Sequence, residues 1–148
     1  MTKNLDLFNL QTAEIFAVLW ANFPVPQIFK YEKFNAALPD DYFEQCNSPE
    51  MVELMQLRSV VEGTFKFLCE NGYIHYEADH QTHFRDVRLT EKSLLVLNME
   101  LESLEGKETI GDNIIKAVKS GTPAVIIGTV TNLFTTAITL MANFVNGS

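Results

Sequence analysis

Three histidines and an aspartate crowd into nine residues of this chain: His75, Asp79, His80 and His83, in the stretch "IHYEADHQTHF". Imidazoles and carboxylates are the groups that hold zinc, but a zinc site needs several of them rigidly spaced and supported by further hydrogen bonds. These four straddle the tip of what reads as a hairpin, and neither cysteine is near, so no metal is expected. Cys46 follows Asp40, Asp41 and Glu44, whose charges disfavour the thiolate that a nucleophile requires. Cys69 lies among apolar residues at a helix end and reads as structural. P-loop, GxGxxG, HExxH and GxSxG patterns are all missing. The expectation is a non-enzymatic protein with no catalytic residues and no cofactor; an enzyme of unrecognised type is a distant reading.

The other side chains with chemistry to offer are basic. Arg85, Arg88 and Lys92 sit in the least acidic stretch and could contact DNA phosphates. The simpler reading makes them solvated residues pairing with Asp86 and Glu91. The whole chain of 148 residues carries 11 Lys/Arg against 19 Asp/Glu, a net charge of −8. Residues 1–72 hold five basic and ten acidic side chains, 73–92 three and four, and 93–148 three and five. Nucleic-acid affinity draws heavily on cations at phosphates, so this distribution argues against a large DNA footprint. At 47% hydrophobic and 20% charged, the chain has the composition of a globular domain. Two cysteines without a CxxC pair, and no basic-then-apolar leader, point to a reduced, cytoplasmic protein.

The elements that must carry these residues are read from spacing. Phe8, Thr12, Ile15, Leu19 and Phe23 recur at three- and four-residue steps and predict a helix over 5–23, ended by Pro24 and Pro26. Ile28, Tyr31, Phe34 and Leu38 predict a second helix over 27–38. Ser48-Pro49-Glu50 is a strong helix start. Ser59-Val60-Val61-Glu62 is a capping box, which predicts a break at Arg58-Ser59 between helices at 49–57 and 60–71. Asn71-Gly72 closes the latter. The alternating runs 73–77 and 83–89 predict two strands of a hairpin. Thr90 starts a helix whose seam is Leu94, Leu97, Leu101 and Leu104.

The passages "FLCENGYI" and "FRDVRLTEKSLLVL" then carry a resemblance. A helix end, a two-stranded wing and a following helix written this way over residues 48–97 resemble the winged-helix (winged helix-turn-helix) superfamily, as in bacterial winged-helix regulators. Ser93 stands where that pattern usually has glycine. The resemblance implies a mainly α fold with a small β-hairpin wing, and DNA binding by helix 60–71 in transcription regulation. Yet with Val61, Phe65 and Leu68 in the core, what that helix offers a partner is Val60, Glu62, Gly63, Lys66 and Phe67. One lysine beside two glutamates (Glu62, Glu70) reads bases poorly and suits a protein surface better.

The carboxyl-terminal part predicts a helix over 109–119, with Ile110, Ile114, Ile115 and Val118 inward, closed by Gly121. After it comes "PAVIIGTVTNLFTTAITLMANFV", 23 residues without a charge. That length could span a bilayer. Gly128, Thr131, Asn132, Thr135, Thr139 and Asn143 fall on one side; Ile126, Ile127, Val130, Leu133, Phe134, Ile138, Met141 and Phe144 fall on the other. A stripe so polar suits lipid badly and a stripe so uncharged suits water badly, which predicts a helix–helix contact between subunits. The sequence therefore predicts one domain over 1–148: a winged-helix core with amino-terminal helices (1–105) and a carboxyl-terminal helical pair (106–148). Its expected role is protein binding, as an oligomer with itself or a protein partner. A DNA-binding regulator is the alternative, and membrane association through 123–145 the third.

Overall fold

The computed structural model describes residues 4–79, 82–103 and 106–146. Helix α1 (Asn4–Ala21) forms on the expected period, burying Thr12, Ile15 and Leu19 completely while Phe8 is half-buried. It ends ahead of the two prolines, leaving Phe23 beyond it and exposed.

The next segment corrects the expectation. Residues 27–38 are not a helix but a strand, β1 (Gln27–Lys30), and one 3-10 turn, Tyr31–Phe34. Phe29 and Tyr31 are buried and Ile28 is exposed, the two-residue alternation of a strand. β1 pairs antiparallel with a strand more than fifty residues away, Phe29 opposite Phe84. That distant pairing outweighs the local helical spacing.

Helix α2 (Pro49–Glu70) begins as expected, with Met51 N–H donating to Ser48 Oγ at 3.1 Å and proline at the first position. It then runs unbroken, so the turn at Arg58-Ser59 and the helix-turn-helix built on it are corrected to one helix of 22 residues. Two contacts explain this. Ser59 Oγ donates back to the Met55 carbonyl at 3.0 Å, as a hydroxyl inside a helix does, rather than accepting from Glu62. Arg58 is buried and donates to the Ala36 carbonyl at 2.7 Å, on the same face as Val61, Phe65 and Leu68. Since Ser59 is exposed and caps nothing, Ser59→Ala is expected to change stability by less than about 0.5 kcal/mol, with alanine's helix propensity helping. Urea denaturation checks this; a loss near 1 kcal/mol would restore the cap.

Gly72, in the left-handed region at φ 77°, turns the chain into β2 (Ile74–Asp79) and β3 (His83–Leu89). The hairpin is the expected one, in register Ile74 opposite Leu89 and Ala78 opposite Phe84. With β1 it makes a three-stranded antiparallel sheet in the order β1-β3-β2. Thr90 caps α3 (Glu91–Leu97) by accepting from Ser93 N–H. The seam expected to continue through Leu101 stops at Leu97. Leu101 belongs instead to β4 (Glu100–Ser103), paired with β5 (Gly106–Thr109); Leu104 lies outside the described residues. Thr109 caps α4 (Ile110–Ser120), Gly121 closes it at φ 67°, and α5 (Pro123–Asn146) follows.

The result is mostly helical with two small antiparallel sheets. One apolar cluster runs through it, from Phe16, Phe29, Phe65 and Ile74 to Leu97, Ile114, Val130 and Leu133. The amino-terminal 105 residues and the carboxyl-terminal helices thus share a core.

Candidate interaction surfaces

On α2, the residues left outside the core are those the sequence offers to a partner. Glu62, Gly63, Lys66 and Phe67 are exposed and Val60 is half-buried. Around them, Glu50, Glu53 and Glu70 are exposed as well, together with Val52 and Met55. This face is apolar and acidic, with Lys66 its one exposed cation. Arg58, the other cation of α2, is turned inward.

Phe67 is 47% exposed, yet it is not isolated. Its ring meets Phe8 of α1 edge-on at 5.2 Å, and Phe8 stacks on Phe134 of α5 at 5.9 Å. Phe134 in turn meets Tyr73 at 5.2 Å. The exposed apolar end of α2 is therefore joined through aromatic rings to α5. No local sequence signal connects Phe8, Phe67 and Phe134; the packing of α1 against both other helices does.

The hairpin cations are engaged with their neighbours. Arg85 pairs with Glu77 across the strands at 2.8 Å, and Arg88 reaches Asp86 at 3.6 Å. Asp86 was an expected pairing partner; Glu77 was not, and it faces Arg85 because the two are opposite each other in the ladder. Lys92 donates to the Asn71 carbonyl at 2.9 Å and lies 4.0 Å from the centroid of the Tyr73 ring. These are exposed contacts of small individual worth, but they match each cation with a local acceptor.

Of the four residues that raised a metal site, His75 is exposed and stands opposite Arg88, and His83 is opposite Asp79 at the far end of the hairpin. His80 lies outside the described residues. Among the described residues, no three His, Cys, Asp or Glu side chains are grouped to hold a metal ion. Cys46 is exposed and Cys69 half-buried, both as free thiols.

Along α5, Ile126, Val130, Leu133 and Ala137 are buried against the domain, with Ile127, Phe134 and Met141 half-buried. Gly128, Thr131, Asn132, Thr135, Thr139 and Asn143 are all exposed. Ile138, expected inward, is instead 69% exposed on the open side, beside Thr139 and one turn beyond Thr135. The threonine hydroxyls of this face are satisfied within the helix. Thr131, Thr135 and Thr139 donate to the carbonyls of Ile127, Thr131 and Thr135 at 2.9–3.0 Å. With their protons donated inside the helix, these side chains present methyl groups and lone pairs outward. Removing water from such a face is cheap, because few donors are stranded. Asn132 keeps an amide on it.

Arg58, Tyr31 and Glu62 form a further polar group. The Arg58 guanidinium lies 3.8 Å above the Tyr31 ring, and Tyr31 Oη donates to Glu62 Oε1 at 2.9 Å. Burial, reinforced by the Glu62 hydrogen bond and charge, pushes the Tyr31 phenol well above its ordinary range, so it stays a donor.

These surfaces belong to a mostly helical fold that carries small antiparallel sheets. No family model, curated protein or solved structure matches the chain.

Proposed function

We propose that this chain is a non-enzymatic binding module that works as a homo-oligomer, in its simplest form a two-fold dimer built on α5. The observation that carries the reading is the open face of α5: a helix of 24 residues with no charge, exposing Gly128, Thr131, Asn132, Thr135, Ile138 and Thr139. Gly128 leaves open space where a side chain would stand, which permits close approach of a second helix. Charge selects the occupant. Two copies at −8 each repel, so a surface without charge favours their contact, and α5 provides one. Phe67, Phe8 and Phe134 extend that surface toward α2.

Of a winged-helix module only the order of the β2–β3 hairpin and α3 remains, since one long α2 stands where that fold has a helix-turn-helix. In the alternative reading, a DNA-binding transcriptional regulator, Arg85, Arg88 and Lys92 would contact phosphate. The acidic face of α2 and the ion pairs at Arg85 and Arg88 weigh against it. Membrane association rests on a different observation. Pro123–Asn143 is long and apolar enough to cross a bilayer, and only 22% of its most apolar window is buried. A cytoplasmic location goes with the dimer reading.

Thr131→Lys/Thr135→Glu tests the choice. Charges placed in a close helix contact weaken the dimer at least about tenfold while circular dichroism stays unchanged, since both positions are exposed in one chain. Sedimentation equilibrium reads the effect. Equal association of wild type and variant would remove α5 from the interface.

A further inference from the structure

The open face of α5 carries a lengthwise pattern beyond its lack of charge. Its middle line is Gly128, Thr135 and Ala142, one residue in every seven. Val125, Asn132 and Thr139 flank it on one side, Thr131 and Ile138 on the other, and all of them are exposed. A seven-residue repeat keeps two helices in contact along their length, and small residues on its line let them come close. Two positions make the line uneven. Ile138 projects at 69% exposure, while at Gly128 the space for a side chain is open.

The polar atoms are distributed as unevenly. The Thr131, Thr135 and Thr139 hydroxyls have given their protons to their own helix, so toward a neighbour they can only accept. The donor in the middle of the face is Asn132, whose exposed side-chain amide makes no hydrogen bond among the described residues.

A two-fold axis lets two α5 helices run side by side in the same direction or in opposite ones. In the same direction, every residue meets its own copy. Ile138 would crowd Ile138, Gly128 would face Gly128 across a gap, and Thr135 would set acceptor against acceptor. The two macrodipoles would also lie parallel, with no charge in the first or last turn of α5 to offset them. In opposite directions, crossing at the level of Leu133, these mismatches cancel. Ile138 lies ten residues beyond Gly128, about 15 Å along the helix, so each Ile138 fills the space at the partner's Gly128. The Asn132 amide then meets the hydroxyl oxygen of the partner's Thr135, and both contacts occur twice.

We propose that α5 pairs antiparallel with α5 of a second copy, with Ile138 on Gly128 and Asn132 on Thr135 setting the register. This pairing rests on the α5 dimer and adds to it a direction and a specific alignment.

Disulfide trapping tests it in the full chain, with Cys46→Ser and Cys69→Ala as the background. Antiparallel pairing brings Val125 beside the partner's Ala142 and leaves the two copies of Val125 about 25 Å apart. A disulfide needs Cα atoms within about 7 Å. Val125→Cys and Ala142→Cys chains, incubated together to exchange subunits and then mildly oxidised, form a covalent dimer; neither variant alone does. Ile138→Ala weakens association by about tenfold in sedimentation equilibrium, with circular dichroism unchanged because the side chain is exposed in one chain. A covalent dimer of Val125→Cys alone means parallel helices, which overturns the proposal while the α5 dimer stands. No covalent dimer from the mixture, with a dimeric mass by light scattering, also overturns the pairing. A monomeric mass overturns the dimer itself and the pairing with it.

Discussion

Replacing Phe65 with alanine is expected to destabilise the protein by about 3–5 kcal/mol, the usual loss for a buried aromatic ring. Phe65 is fully buried on α2. Its ring stacks on Phe84 of β3, with centroids 3.8 Å apart and planes 2° from parallel. It also meets Phe29 of β1 at 5.6 Å, Phe34 at 6.0 Å and Tyr76 of β2 at 5.5 Å, all edge-on or nearly so. One side chain therefore joins α2 to all three strands of the β1-β3-β2 sheet and to the 3-10 turn. Domains are stable by only about 5–15 kcal/mol in total, so the variant should unfold at a much lower urea concentration. Phe65→Leu, which keeps most of the volume, should lose far less. A loss below about 1 kcal/mol for Phe65→Ala would mean that the sheet does not pack on α2 as described.

Gly111→Ala is expected to cost about 1–2 kcal/mol. A Cβ built at Gly111 would lie 2.5–2.6 Å from the Trp20 ring, far inside contact distance. Trp20 would have to swing away, breaking the bond from its Nε1 to Asp112 Oδ1 at 3.1 Å. Overpacking of this kind costs about 1–3 kcal/mol, and alanine's better helix propensity returns up to about 1. The net loss appears as a lower urea midpoint, and the Trp20 fluorescence spectrum shifts red as the indole becomes wetter. A stabilised variant with an unchanged spectrum would contradict the close approach of α1 and α4.

The elements that announce themselves in the sequence are those with chemical punctuation. Ser48, Thr90 and Thr109 cap the three helices that follow them, and Gly72 and Gly121 occupy left-handed positions after α2 and α4. Caps and turn glycines act within three or four residues, so local reading suffices. Two kinds of feature escape it. β1 is held by β3 from far along the chain, and its residues happen to repeat at helical spacing. The hairpin β4–β5 is written almost wholly in polar residues, with no apolar alternation to betray it.

Ser59 marks the opposite error. A capping box is a pattern of side chains able to cap, and inside α2 the same serine bonds its own helix instead. Arg58, expected in a turn beside Ser59, instead points inward from the continuous helix to Ala36. The α5 face was legible, since the lack of charge over 23 residues is a property of composition alone. Its details come from the fold: Ile138 outward, and the threonine protons donated within the helix.

The central claim is that α5 is covered by a second copy of the chain, and the molar mass of the wild-type protein in solution tests it most directly. Light scattering during size-exclusion chromatography, without detergent and at tens of micromolar, should give twice the 16.8 kDa of one chain. Association should strengthen as sodium chloride rises, because salt screens the repulsion between two acidic molecules; DNA binding would show the opposite trend. A 16.8 kDa species at every concentration and salt would contradict the claim, and a protein that leaves the membrane fraction only with detergent would assign the face to lipid.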